Sequence, residues 1–275
     1  MDTLEHLRSG DVAAALDQLQ EQVKRDPADP KLRVFLSQLL AVTGQWERSL
    51  TQLKVLGDLD AAALPMVQTY RTAVTCEALR ARVFAGAQTP LVFGEPERWV
   101  ALLLESLRLL AEGQRERAEA LRAEAFDLAP ATAGSLDGEA FEWIADCDQR
   151  LGPVLETVVN GSYYWVPFAR IREIRIEEPS DLRDVVWAPV QLTWSNGGQA
   201  VGLVPTRYPG SERSEDPRIQ LARHTDWTED ASGEVVGLGQ RMLATDAGEY
   251  PILDVRLITL ETEDTAETGD SAPGP

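Results

Sequence analysis

Apolar positions in the first half of the chain recur every three or four residues. Leu32, Phe35, Leu36, Leu39 and Leu40 fall on one face, and Trp46, Leu50 and Leu53 follow at i, i+4 and i+7 on the next segment. That spacing predicts amphipathic helices. Asp29-Pro30 is an N-cap followed by proline at the first helical position, and Glu95-Pro96 gives the same signal less ideally. From Tyr163 the character changes to short Val/Ile/Trp-rich runs broken by Gly and Pro. Strands are predicted over 163–166, 174–176, 185–194, 199–204, 221–227, 237–245 and 252–260. Ser195-Asn196-Gly197-Gly198 is the strongest turn signal in the chain, and it predicts a hairpin.

Between the two patterns, residues 138–168 hold six of the 18 aromatics: Phe141, Trp143, Tyr163, Tyr164, Trp165 and Phe168. A helix is expected over about 138–150, capped by Ser135 or Asp137, with Phe141, Ile144 and Ala145 on its apolar face. Gly152-Pro153 ends it, and a second short helix over 154–159 is stopped by Asn160-Gly161. Aromatic side chains bury large areas, so this stretch reads as the joint between two halves. Phe141, Trp143, Tyr164, Trp165 and Arg207 are its expected contact residues.

The helical half repeats. Gly10-Asp-Val-Ala-Ala-Ala-Leu-Asp-Gln-Leu19 matches Gly44-Gln-Trp-Glu-Arg-Ser-Leu-Thr-Gln-Leu53 at an offset of 34 residues, the tetratricopeptide period. Ala15 and Ser49 take the small position where paired helices cross, and a third copy starts at Gly113. Residues 61–84 do not fit the repeat. The alternative is a plain bundle of helical hairpins. The fold class expected is therefore multi-domain α+β. A tetratricopeptide-like α–α superhelix over 1–136 is followed by joint helices over 137–161. A small β-rich α+β domain over 162–260, an antiparallel sheet or partly open barrel, comes next. Residues 261–275 carry five acids, no base and no large apolar side chain, and are expected to be a disordered tail.

In tetratricopeptide register the concave surface would present Lys31, Val34, Phe35, Gln38, Ala41 and Val42, a groove suited to an amphipathic helix or extended peptide. The alternative is that Val34 and Phe35 are ordinary core.

Charge narrows the partners. The net charge is -19, which disfavours nucleic acid and anionic membrane surfaces, since both need clustered Lys and Arg. The most apolar run, 99–111, is interrupted by Glu105 and Arg108 and is too short to span a bilayer. The N-terminus carries acids and no apolar signal region, and two distant cysteines fit a reducing compartment. A cytoplasmic protein is expected.

Candidate chemistry is thin. With two histidines, a zinc site or histidine triad is poorly supplied, and His224 with Asp226 lacks a nucleophile motif. Cys147 lies between Asp146 and Asp148, which would raise its pKa. The acids at 137, 139, 142, 146 and 148 do not follow calcium-loop spacing. Gly237-Leu-Gly239 lacks the third glycine and the helix of a dinucleotide fingerprint. No catalytic residue, cofactor or metal is expected. A ligand-binding or hydrolytic site centred on Tyr163, Trp165, Trp187 and Arg207 is the runner-up, and a scaffold that dimerises through the repeat is a third reading.

Several unusual words occur together: Leu32-Arg-Val-Phe-Leu36, Gly44-Gln-Trp-Glu-Arg48, Asp137-Gly-Glu-Ala-Phe-Glu-Trp-Ile144, Tyr164-Trp-Val-Pro-Phe168, Asp181-Leu-Arg-Asp-Val-Val-Trp187, Arg207-Tyr-Pro-Gly-Ser211 and Gly237-Leu-Gly-Gln-Arg241. With Asp146, Asp148, Arg150 and Glu156 in order between them, the chain from about residue 4 to 260 resembles the ImpE/TagJ (SciE-type) accessory proteins of type VI secretion systems. The resemblance implies a non-enzymatic accessory factor. Its implied partner is an N-terminal helix of the small sheath subunit (TssB type), with a link to sheath assembly and to recycling by the ClpV unfoldase. It secures no functional residue.

Overall fold

The computed structural model describes residues 2–95, 97–230 and 233–262. Helices come first: α1 (Thr3–Ser9), α2 (Val12–Arg25), α3 (Pro30–Val42), α4 (Trp46–Leu59), α5 (Leu64–Phe84), then α6 (Arg98–Ala111) and α7 (Arg115–Leu128) after a two-residue strand β1 (Leu91–Val92). Asp2, Asp11 and Asp29 cap α1, α2 and α3 by accepting from backbone amides of the first turn.

The repeated glycines sit at turns between paired helices. Gly10, Gly44 and Gly113 have φ of 85°, 66° and 73°, the left-handed conformation in which a Cβ is strained. The small positions lie at the crossings. Ser49 donates from Oγ to Ser37 O at 2.8 Å, and Ser106 to Ala118 O at 3.0 Å. Residues 61–84, outside the repeat, are mostly the long helix α5, which packs against α4 and the sheet.

The joint stretch corrects the sequence reading, because it is β-structure. Strands β2 (Gly134–Leu136) and β3 (Glu139–Phe141) form a hairpin, followed by β4 (Ile144–Asp146), β5 (Val154–Val159) and β6 (Ser162–Pro167). Two turn pairs decide it. Asp137 and Gly138 have φ of 48° and 92°, and Asn160 and Gly161 have φ of 48° and 85°, the paired positive values of tight hairpins. All six residues of β5 are buried, as for a strand covered on both faces, and its β-branched residues favour that state.

The remaining strands are β7 (Ile171–Ile176), β8 (Trp187–Trp194), β9 (Gln199–Pro205), β10 (Thr225–Glu229), β11 (Val235–Gly239), β12 (Met242–Thr245), β13 (Glu249–Pro251) and β14 (Leu257–Leu260). The main sheet has nine strands in the order β1-β6-β5-β9-β8-β7-β14-β2-β3. Its pairings are antiparallel except β1 with β6. Strands β13, β12 and β4 make a three-stranded sheet, and β10 with β11 a ribbon. The architecture is α+β, with a larger sheet than the small β-rich domain expected, because the presumed joint helices supply strands.

Two cores follow from strand alternation. Val154, Val158, Tyr163, Trp165 and Trp187 join the helical residues in one cluster. Leu155, Val159, Val166, Ala188 and Val190, offset by one residue, face a second cluster closed by Leu243 and Ile252. The first cluster crosses from helices to sheet, so one apolar core binds the two parts. Residues 263–275, most of the expected acidic tail, lie outside the described residues.

Candidate functional site

The expected groove is largely covered by the chain itself. Lys31 is exposed and Val34 and Phe35 are half-buried, whereas Gln38 (8% exposed), Ala41 (2%) and Val42 (0%) are buried. Trp187 lies on this face with its ring 6.0 Å from those of Trp46 and Tyr70. Its indole Nε1 donates to Glu77 Oε1 at 2.8 Å. Arg183 lies over the Tyr70 ring at 4.6 Å. Arg207 reaches the end of α3, donating to Val42 O at 2.8 Å and Gln220 O at 2.5 Å, with Ala41 O at 3.4 Å. Ala41 and Val42 therefore present carbonyls to Arg207 rather than side chains to a partner. The side of α3 expected to be open is thus packed by Trp187 of β8, with Arg183 and Arg207 beside it.

Of the five joint residues, Trp165 and Arg207 lie between helices and sheet, Trp165 with its ring 6.0 Å from Phe84. Phe141 and Tyr164 pack in the second cluster. Trp143 is 39% exposed. Tyr163, Trp165, Trp187 and Arg207, around which a ligand site would have centred, are each 4% exposed or less and packed on neighbours. That position is core, not a pocket.

Sequence reasoning missed a buried charge network at the contact between α5 and the sheet. Glu156, fully buried, accepts from Arg80 Nε at 2.7 Å and Nη2 at 2.9 Å and from Tyr163 Oη at 2.5 Å, while Trp165 Nε1 donates to Tyr163 Oη at 2.8 Å. Arg241, also fully buried, donates to Asp146 Oδ2 from Nε at 2.9 Å and Nη2 at 2.6 Å, with Nη1 3.3 Å from Glu156 Oε2. Tyr208 Oη donates to Asp146 at 3.0 Å, and Arg150 grips Asp148 through Nε and Nη2. Arg80 Nη2 also donates to Arg207 O at 2.8 Å. The acids at 146, 148 and 156 are thus each Arg-paired inside the protein. Their order in the sequence is visible, as is Arg150 beside Asp148, but no local signal pairs Glu156 with Arg80, 76 residues away, or Asp146 with Arg241, 95 residues away.

Electrostatics follow from these contacts. Burial works to raise the Glu156 carboxyl, but Arg80 and Arg241 outweigh it and hold the group below its usual value. Burial pushes Asp146 up to about 6 against the pull of Arg241. Arg241 is itself raised by its two acids despite burial. Asp146 is the weaker member, ionised at neutral pH by donors on both oxygens.

A lowered folded-state pKa contributes stability that is present above the unfolded value, near 4.5 for Glu156, and is lost as pH falls through the folded one. The gap in Tm between the native chain and Glu156→Gln is therefore expected to narrow as pH drops below about 4.5. Thermal melts from neutral to acidic pH check this, and a gap that widens on acidification refutes the assignment.

Both thiols lie above the ordinary cysteine range. Burial, with Glu77 adding to it, pushes Cys76 to about 11, and burial followed by Asp146 pushes Cys147 to about 12. Thiolates are the reactive form, so a disulfide-exchange reagent at neutral pH should label the folded chain slowly and the denatured chain at once. Fast labelling of Cys147 in the fold would contradict this. Among the described residues no group of three or more His, Cys, Asp and Glu side chains is placed to hold a metal ion, and no helix is long and apolar enough to cross a membrane.

An open apolar cleft of about 490 Å³ lies where the end of α7 meets β4 and β12, lined by Phe126, Ala129, Trp143, Ala145, Pro153 and Ala244 among others.

Comparison with known proteins places this architecture. The family model described as ImpE protein matches residues 138–259, which run from β3 into β14. A Pseudomonas aeruginosa protein named type VI secretion system accessory component TagJ is 52% identical over 260 residues, covering 94% of this chain and 91% of that protein. A crystal structure of a Vibrio parahaemolyticus protein superposes with a TM-score of 0.84 at 26% identity, covering 95% of this chain and 98% of that one. With that identity carried through helices and sheet alike, the chain belongs to the ImpE/TagJ family of type VI secretion accessory proteins.

Proposed function

We propose that the protein is a non-catalytic adaptor of a type VI secretion system. It acts in the cytoplasm by binding the amphipathic N-terminal helix of the small sheath subunit (TssB type), and it assists sheath assembly or ClpV-linked recycling. The observation that carries this reading is the 52% identity, over 94% of the chain, to a protein named as an accessory component of that system. The 34-residue repeat of helical hairpins, read as tetratricopeptide-like, supports a helix-binding arm. Of the residues first expected in the groove, Lys31, Val34 and Phe35 at the start of α3 keep accessible surface and are the contacts we assign to the partner.

A pull-down with the purified sheath small subunit tests the reading. Retention is expected with the full subunit and loss when its first helix is removed. Equal retention of both, or of neither, sinks it. Phe35→Ala should weaken binding by about tenfold, as an apolar anchor does. A Tm loss above about 10 °C would instead mark Phe35 as core.

A further inference from the structure

We propose that the cleft between the end of α7 and the three-stranded sheet is a second docking surface. Its occupant would be a partner segment that presents bulky apolar side chains flanked by Lys or Arg. It stands whether or not the sheath subunit binds α3.

The cleft has the size and character of a binding site. Its volume of about 490 Å³ falls within the ~300–1,000 Å³ of pre-formed pockets. Phe126 and Ala129 come from α7 and its end, Ala145 from β4 and Ala244 from β12, so its walls belong to rigid elements. Trp143 stands at its side with 39% of its surface open, in a residue type that dominates binding energy when a partner covers it.

Charge selects the occupant. Among the described residues no Lys, Arg or His lines the cleft, whereas Glu249 does. Glu142, beside Trp143, and Asp246, whose Oδ1 accepts from the Glu142 amide at 2.7 Å, are both exposed. Asp146 also lines the cleft, but it is buried and bound by the fully buried Arg241. An apolar floor with uncompensated acids at its margin suits an apolar segment with basic flanks.

Two other occupants fit worse. Residues 263–275 carry Glu263, Asp264, Glu267 and Asp270 and no Leu, Ile, Val, Met or aromatic side chain, so they can neither fill the floor nor neutralise the margin. A second copy brings another -19 charges against this acidic margin.

The test uses the full chain and a fluorescein-labelled amphipathic peptide of Leu and Lys, with a Leu/Glu peptide as control, read by anisotropy at physiological salt. Binding is expected for the Leu/Lys peptide alone. Trp143→Ala should weaken it about tenfold and Glu249→Lys should weaken it too, both at nearly unchanged Tm because neither side chain is buried. Trp227→Ala is the control: Trp227 is also 39% exposed but lies on the β10–β11 ribbon, and this change should leave affinity alone. Equal effects of the two Trp substitutions, or no binding of the Leu/Lys peptide, overturn the proposal. A dimer on a sizing column that Trp143→Ala dissociates would make a second copy the occupant, and tighter peptide binding on removing residues 263–275 would make it the tail. Either result also overturns it.

Discussion

Arg241→Met is expected to destabilise the fold by about 3–5 kcal/mol, the usual cost of breaking a buried ion pair from one side. Methionine replaces the stem of Arg241 but leaves Asp146, 3% exposed, with only the Tyr208 hydroxyl and the Asp148 amide as donors. It also removes one of the two guanidiniums beside Glu156. At this chain length the loss corresponds to a fall of about 10 °C in Tm, measurable by circular dichroism.

Two comparisons isolate the cause. Arg175→Ala removes an ion pair to Glu173 whose side chains are 54% and 27% exposed, and should change stability by less than about 0.5 kcal/mol. Adding Asp146→Asn to Arg241→Met should recover part of the loss, because the unpaired charge is gone. A single-variant loss under about 1 kcal/mol would show that the buried pair of Arg241 with Asp146 does not hold the fold together.

That network also shows what the sequence could and could not convey. Helix periodicity and the glycine offset of 34 were local signals, and α2, α3, α4 and α7 follow them. The hairpin at Asn196-Gly197 was equally local, and β8 pairs with β9 across it. The same dipeptide chemistry stands at Asp137-Gly138 and Asn160-Gly161, where a cap and a helix stop satisfy the local pattern as well as a turn does. Phe141, Ile144 and Ala145 also satisfy helical spacing, and in a run this short one period imitates the other. Positive φ at both residues of each pair resolves the ambiguity toward strands, so the supposed joint supplies β3, β5 and β6 of the main sheet and β4 of the three-stranded one. The charge network was illegible for a different reason. Asp146, Glu156 and Arg241 look like solvated charges until β4, β5 and the turn before β12 are laid side by side. The apolar cleft is hidden likewise, since it needs the end of α7 to meet β4, a stretch whose spacing reads as helix.

Trp187→Ala is expected to cost about 3–5 kcal/mol, the range for emptying a buried aromatic site, and it also bears on function. Trp187 is 1% exposed, with its ring 6.0 Å from both Trp46 and Tyr70 and its indole bound to Glu77. It packs against α4 and α5 on the side where the sequence predicts a groove. Truncation leaves a cavity against Gln38 and Ala41, and the Glu77 carboxylate loses a donor. Trp187→Phe keeps most of the ring volume and loses only that donor, so a smaller loss of about 1–3 kcal/mol is expected. Denaturant melts separate the two. If Trp187→Ala cost under about 1 kcal/mol, the face would be loosely filled and available to a partner. Binding of the sheath small subunit, measured where the variant is still folded, then distinguishes the surfaces. A helix held at Lys31, Val34 and Phe35 should bind the variant as it binds the native chain. A helix that displaces Trp187 from the concave face should bind the variant more tightly, because the plug it must expel is gone.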